Sequence, residues 1–547
     1  MTTREFVKGT LITFYNKLKD IFLQKSEQII VKGSGPNSAR MKKGTATGDN
    51  SFAEGNDTTA SGRCAHAEGT QTTASGDYSH AEGYGTTASG SSSHAEGQST
   101  SASGDYSHAE GLSPMALGRS SHAEGERTTA SGKSSHAEGT YTKASGHHSH
   151  AEGASTAASG VCAHAEGNTT TASGSCAHAE GYYTTASGDY SHAEGGRTTA
   201  SGNYSHAEGY DTTASGNPSH AEGGNTSALQ GYSHAEGSNT VASGNCSHAE
   251  GSVTSALTTC SHAEGYGTIA SGSASHAEGA YTTTLGDYSH AEGSGTTASG
   301  QCSHAEGTHT TASGNYSHAE GGVTTASGNY SHAEGDSTKA LGESSHAEGT
   351  ETSALTFYSH AEGQETIASG ESSHAEGYGT TASGNQSHTE GVGTTASGES
   401  SHAEGDNTSA LTFYSHAEGQ ETIASGACAH AEGQSTKALG QGSHAEGYAT
   451  IASEEGSHAS GKFNAPGFAN DQTSIGDTSY ITKITGSTWT DPILFSIGCG
   501  TGSSESSPSA HRTNAFFVTL SGHVWVLFSR KNSSYGNGIS DVYKRIA

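Results

Sequence analysis

The sequence predicts an all-β protein: a parallel β-solenoid of fourteen-residue coils, with a short N-terminal helix and a small β-rich C-terminal domain. Three observations carry this. First, the pentapeptide Ser-His-Ala-Glu-Gly returns every fourteen positions. It runs from Ala65-His66-Ala67-Glu68-Gly69 to Ser443-His444-Ala445-Glu446-Gly447, with degenerate copies at Ser51-Phe52-Ala53-Glu54-Gly55 and Ser457-His458-Ala459-Ser460-Gly461. A fixed short period is the signature of a repeat architecture. Second, only 30% of the 547 residues are hydrophobic and 79 are Gly, so no ordinary Leu/Ile/Val core can be filled. Such a composition alone would suit disorder, but disorder has no need of an unbroken register. Third, each unit holds two five-residue segments, Thr-x-Ala-Ser-Gly and Ser-His-Ala-Glu-Gly, each followed by two variable residues. That rhythm suits short strands and tight turns.

Alternation of side chains sorts the faces. Counting the histidine as position 0, Thr at −8 recurs in every coil from His66 onward except at Pro114. Position −7 varies and accepts Lys143 and Lys339, so it faces solvent. Thr −8, Ala −6 and Gly −4 are therefore expected inside, opposite Ser −1, Ala +1 and Gly +3. The interior is tiny, and backbone ladders must supply most of the cohesion. About thirty coils, stacked at about 4.8 Å, would make a rod of roughly 140 Å. His 0 and Glu +2 fall on one outer face. Tyr or Cys at −2 shares their parity, and the invariance of the face suggests that it is covered by lateral association.

The flanks differ from the repeat. Residues 1–31 read as an amphipathic helix, with Leu11, Tyr15, Leu18 and Phe22 on one stripe, used for attachment or trimerisation. Residues 32–50 are rich in Gly, Ser, Asn and Lys and read as a linker. The coils span 51–461. Residues 462–547 hold both tryptophans, Trp489 and Trp525, and Ser521-Gly522 is expected to make a two-residue hairpin turn.

Charge and cysteine usage limit the function classes. The net charge is −31, much of it from the repeat glutamates, which argues against nucleic acid as a partner. The first 43 residues are basic and suit an acidic partner protein or a solvated helix face. Seven of the eight cysteines occupy position −2, from Cys64 to Cys428. No CxxC pair exists, so free thiols are expected rather than a zinc site. No export signal is read at the N-terminus, and no membrane-spanning stretch is seen.

With Asp-Tyr-Ser-His-Ala-Glu-Gly followed by Thr-Thr-Ala-Ser-Gly, residues 51–461 resemble the fourteen-residue repeat of YadA-like adhesin heads. That resemblance implies a trimeric, left-handed parallel β-roll. It also implies that His66, Glu68, His80, Glu82, His94, Glu96, His108, Glu110, His206, Glu208, His318, Glu320, His444 and Glu446 line an inter-chain interface. The chain departs from the family in having His and Glu where aliphatic residues are usual. Phe495-Ser496-Ile497-Gly498-Cys499-Gly500 and His511-Arg512-Thr513-Asn514-Ala515-Phe516 resemble the segment that follows such repeats in phage tail-fibre and neck-appendage proteins.

The functional expectation is a trimeric phage tail fibre or appendage. Its N-terminus would join other virion proteins, its roll would be a shaft, and its C-terminal part would meet a host surface glycan or protein. It would belong to the virion. A bacterial surface adhesin is the alternative, and an ice-binding solenoid a minor one, because Lys, Ile, Ala157 and Val241 break the Thr array at −7. Catalysis is not expected: Ser −1 faces away from His and Glu, and a triad must converge. No cofactor is expected, and neither nucleic acid nor membrane insertion. Three histidines on a threefold axis could hold an ion, though an inter-chain His–Glu ladder is the simpler use, and that ladder would raise the histidine pKa. Leu355 and Phe357, repeated as Leu411 and Phe413 in a duplicated stretch, are candidate receptor contacts with Trp489 and Trp525.

Overall fold

The computed structural model describes residues 31–40 and 43–462, and the backbone of strands Tyr480–Ile481, Ile493–Cys499, Asn514–Thr519, Val524–Asn532 and Ile539–Arg545. The expected N-terminal helix, Trp489 and Ser521-Gly522 lie outside the described residues. The described fold is an all-β parallel solenoid of about thirty turns. Two units divide the chain, Met1–Gly267 and Thr268–Ala547.

Every full coil has the same two strands: a histidine strand such as His80–Tyr84 and a shorter threonine strand such as Thr87–Ala88. In the first unit, histidine strands pair in parallel and in register, from His66↔His80 to His248↔His262. In the second unit the same register runs from His276↔His290 to His444↔His458. Every residue therefore sits on its own counterpart one coil away. Hydrogen bonds such as His80 N–H to Ser93 O (2.9 Å) and Thr73 N–H to Thr86 O (2.8 Å) join the coils.

The interior follows the sequence pattern with one exception. Ala −6 and Ala +1 are fully buried, as are Ser −1 and Thr −8. The serine has a specific task. Its hydroxyl donates to the carbonyl of Gly −4 and closes the turn, as in Ser79 to Gly76 (2.6 Å) and Ser317 to Gly314 (2.6 Å). The exception is Gly +3, which is not inside: Gly69 is exposed and Gly83 half-buried. It has φ between about +100° and +120°, as at Gly223 (+113°), and passes close to the equivalent glycine of the next coil. A Cβ on Gly223 would lie 2.0 Å from the Gly237 carbonyl oxygen. This glycine is required by backbone stacking rather than by a narrow interior.

Position −2 also departs from expectation. It is a left-handed corner, with φ of +60° at Tyr78 and +57° at Cys162. Strand parity does not carry through a corner of this kind, so these side chains leave the His–Glu face. The tyrosines stand in solvent, Tyr232 at 69% exposure. The seven described cysteines are exposed and unpaired. Except at Pro218, which has no N–H, these corners are pinned by their own N–H, as in Tyr78 N–H to Arg63 O (2.7 Å). Asp or Asn at −3 adds a second tie across coils: Asp77 accepts from Arg63 N–H, and Asn329 from Asn315 N–H, both at 3.0 Å.

In the stretch read from the sequence as a linker, Ala39–Arg40 and Lys43–Ala46 already pair onto the first coil, and Val31, expected at the end of the helix, is in a strand paired antiparallel with Arg40. Ala39 lies in register with Phe52, and Thr45-Ala46 with Thr59-Ala60. The signal was present in Gly35-x-x-Ser38, where the Ser38 hydroxyl donates to the Gly35 carbonyl (2.7 Å) just as in the full coils. At the other end, Ile493–Cys499 pairs in parallel with His458–Lys462 and places Phe495 in the histidine register. Antiparallel strands follow. Asn514–Thr519 pairs with Val524–Asn532, through Phe516↔Val526 and Val518↔Val524.

The threonine hydroxyls pose an energetic question. Thr310 is fully buried, and its Oγ1 has no hydrogen-bond partner. An orphaned buried hydroxyl is costly, whereas a buried methyl contributes about 0.8 kcal/mol. Thr310→Val is therefore expected to melt at or above the parent temperature. Thr310→Ser, which discards the methyl and keeps the hydroxyl, is expected to lose about 1 kcal/mol. The reverse order in a thermal melt would mean that the hydroxyl makes a stabilising bond.

Candidate functional site: the His–Glu face

Histidine and glutamate two residues apart on one strand point the same way. Within each unit, in-register stacking then lines up the imidazoles in one column and the carboxylates in another. Ring centroids are 4.7 Å apart for His66–His80, 4.8 Å for His80–His94 and 4.8 Å for His94–His108. Around His206 and His318 the spacing is 4.8–4.9 Å, and for His430–His444 it is 4.7 Å. Planes are nearly parallel, though His220–His234 opens to 24°. Phe52 begins the column, stacked on His66 at 5.3 Å.

Within a coil, His Nε2 lies beside the glutamate. The separations are 3.6 Å for His66–Glu68, 3.7 Å for His80–Glu82, 3.6 Å for His94–Glu96 and 3.5 Å for His108–Glu110. They widen to 3.9 Å for His206–Glu208 and 4.0 Å for His318–Glu320. Near the end of the repeat the pairing crosses coils: His444 Nε2 is 3.9 Å from Glu432. These distances are long for hydrogen bonds. The Nε2 atoms of His66, His80, His94, His108, His206 and His318 are buried without a hydrogen-bond partner. The face as a whole is only half-buried, with the His66 and Glu68 side chains 34% and 40% exposed.

Burial holds the imidazoles of His122, His206, His304 and His402 below their ordinary pKa of 6.5, and the stacked neighbouring imidazoles push the same way. The flanking glutamates oppose this and are outweighed. In the single chain the direction is thus opposite to the rise expected of an inter-chain His–Glu ladder, because burial, and then the stacked rings, outweigh the glutamates. The serine of the pentapeptide is engaged in the turn and does not meet these groups.

The candidate receptor contacts lie elsewhere on the coil. Leu355, Phe357, Leu411 and Phe413 are exposed, with Phe357 at 53% and Phe413 at 51%. Tyr358 and Tyr414 stand beside them. Trp525 pairs with Phe517 and Arg545 through its strand.

A family model described as the YadA head domain repeat (2 copies) matches residues 67–93, 109–135, 179–205, 207–229, 263–289, 291–317, 361–387 and 390–411. No curated protein matches the chain. The matched segments are similar to the YadA head repeat, which supports a YadA-like β-roll repeat in those coils.

Proposed function

We propose that the protein is a homotrimeric structural fibre that presents a receptor-binding tip, of the phage tail-fibre or appendage kind. The observation that carries this reading is the His–Glu face. It is the same in nearly every coil, yet in one chain it leaves buried ring nitrogens unpartnered. Buried polar groups are normally satisfied, and two further copies of the same face would supply partners along its length. Residues 1–31 would attach the fibre to other virion proteins. Residues 462–547 would meet a host surface glycan or protein, with the exposed Phe357 and Phe413 patches as side contacts. The Ala-lined interior and the turn-bound serine support a non-enzymatic role.

Solution mass tests the assembly. Light scattering is expected to give three times the 55.0 kDa chain mass, and a monomer would overturn the reading. Deleting residues 462–547 is expected to abolish binding to target cells while leaving a β-rich trimer. Retained binding would move recognition to the coils. The alternative, a bacterial trimeric surface adhesin, rests on the repeat match itself. Labelling with antibody under the electron microscope separates the two, on particles or on cell envelopes.

A further inference from the structure

We propose that the His–Glu column is a repeated binding site for divalent transition-metal cations, with Zn²⁺ as the best-suited ion. Four observations lead there. An imidazole nitrogen beside a carboxylate is the donor set of zinc, nickel and copper, whereas calcium and magnesium prefer oxygen alone. The ligand atoms of His66, Glu68 and His80 lie within 4.8 Å of one another, as do those of the next four sets, through His122, Glu124 and His136.

The spacing fits an ion better than a direct bond. Nε2 and the carboxylate oxygen are 3.6 Å apart at His66–Glu68 and 3.9 Å at His206–Glu208. Two metal–ligand bonds of about 2.0–2.1 Å span up to about 4.2 Å, so an ion fits between them. The next imidazole lies slightly beyond that span. A modest tilt would bring it in, and the stack tolerates ring tilts of up to 24°, as at His220–His234.

The third observation is the buried, unpartnered Nε2 in coil after coil. Coordination would satisfy the atom and fix the ring. The fourth is charge. The column carries one carboxylate per coil on a chain of net charge −31, and one divalent ion for every two coils cancels it. Water completes each coordination shell in a single chain. This assignment does not depend on the proposed trimer, although bringing three such faces together would make neutralisation more pressing.

The test uses the full-length chain, stripped with EDTA, dialysed against zinc chloride and read by elemental analysis. Binding of about fourteen ions per chain is expected, one for every two repeat glutamates, with neither Ca²⁺ nor Mg²⁺ retained. Co²⁺ in place of zinc is expected to give visible absorption bands of nitrogen–oxygen coordination. Replacing Glu194, Glu208, Glu222 and Glu236 by Gln is expected to remove about two ions. Replacing His192, His206, His220 and His234 by Phe is expected to do the same while keeping the ring stack, as Phe52 already does on His66. Circular dichroism checks that both variants keep their strands. One ion or fewer per chain, or an unchanged count in two folded variants, would overturn the assignment. Mass is read in the same samples, so a monomer that binds zinc and a trimer that does not are separate outcomes.

Discussion

The melting temperature of the metal-free protein is expected to fall as the pH is lowered from about 7.5 to about 5 in the presence of EDTA. Fourteen imidazoles, His122, His178, His192, His206, His234, His304, His332, His346, His360, His374, His402, His416, His430 and His458, are held below 6.5 in the fold. Burial is the leading cause, and charge on the neighbouring rings adds to it. The sign follows. A histidine with a depressed folded pKa binds its proton more readily in the unfolded chain. Its contribution to stability is complete above 6.5 and is lost as the pH falls through the folded pKa. The slope grows with the number of protons involved, so so many rings make the transition steep. Above pH 7 the curve is expected to be flat. A melting temperature that rises on acidification would mean that the carboxylates control the rings, as the sequence alone suggests.

Gly223→Ala is expected to cost roughly 4 kcal/mol, whereas Gly224→Ala, one residue along, is expected to cost less than about 0.5 kcal/mol. Gly223 has φ of +113°, and an added Cβ would sit 2.0 Å from the Gly237 carbonyl oxygen. Neither the conformation nor the space can be given up without separating two coils. A Cβ on Gly224 meets nothing within 4 Å. Denaturant melts measure both. Hydrogen exchange should place the damage in the coils that meet at Gly223. Equal effects of the two substitutions would refute the stacking role assigned to Gly +3.

The repeat, its two strands and most of its inward set were legible because strand alternation is a local rule. Thr −8, Ala −6, Gly −4, Ser −1 and Ala +1 all face inward as expected. The rule failed where the backbone stops being a strand. Tyr78 and Cys162 sit at left-handed corners, and Gly +3 at a positive φ, so counting by twos misplaced both. The histidine titration of the single chain runs against the expected inter-chain ladder for another reason, burial first and the stacked rings second. A period of fourteen states which residue follows which, but only the in-register stack shows that each ring's nearest titratable neighbours include its own counterparts. Ala39–Arg40 and Lys43–Ala46 were missed because Gly35-x-x-Ser38 lacks the histidine that marks the full coils.

Register also governs how such a chain can change. Because each residue lies on its own counterpart, His360 on His374 and Ala361 on Ala375, inserting or deleting whole coils creates no new kind of contact. Unequal recombination between coils is then structurally silent, provided it moves a multiple of fourteen codons. The matching stretches 352–370 and 408–426, fifty-six residues apart, are what such an event leaves behind. Coil number is thereby open to selection independently of the cross-section.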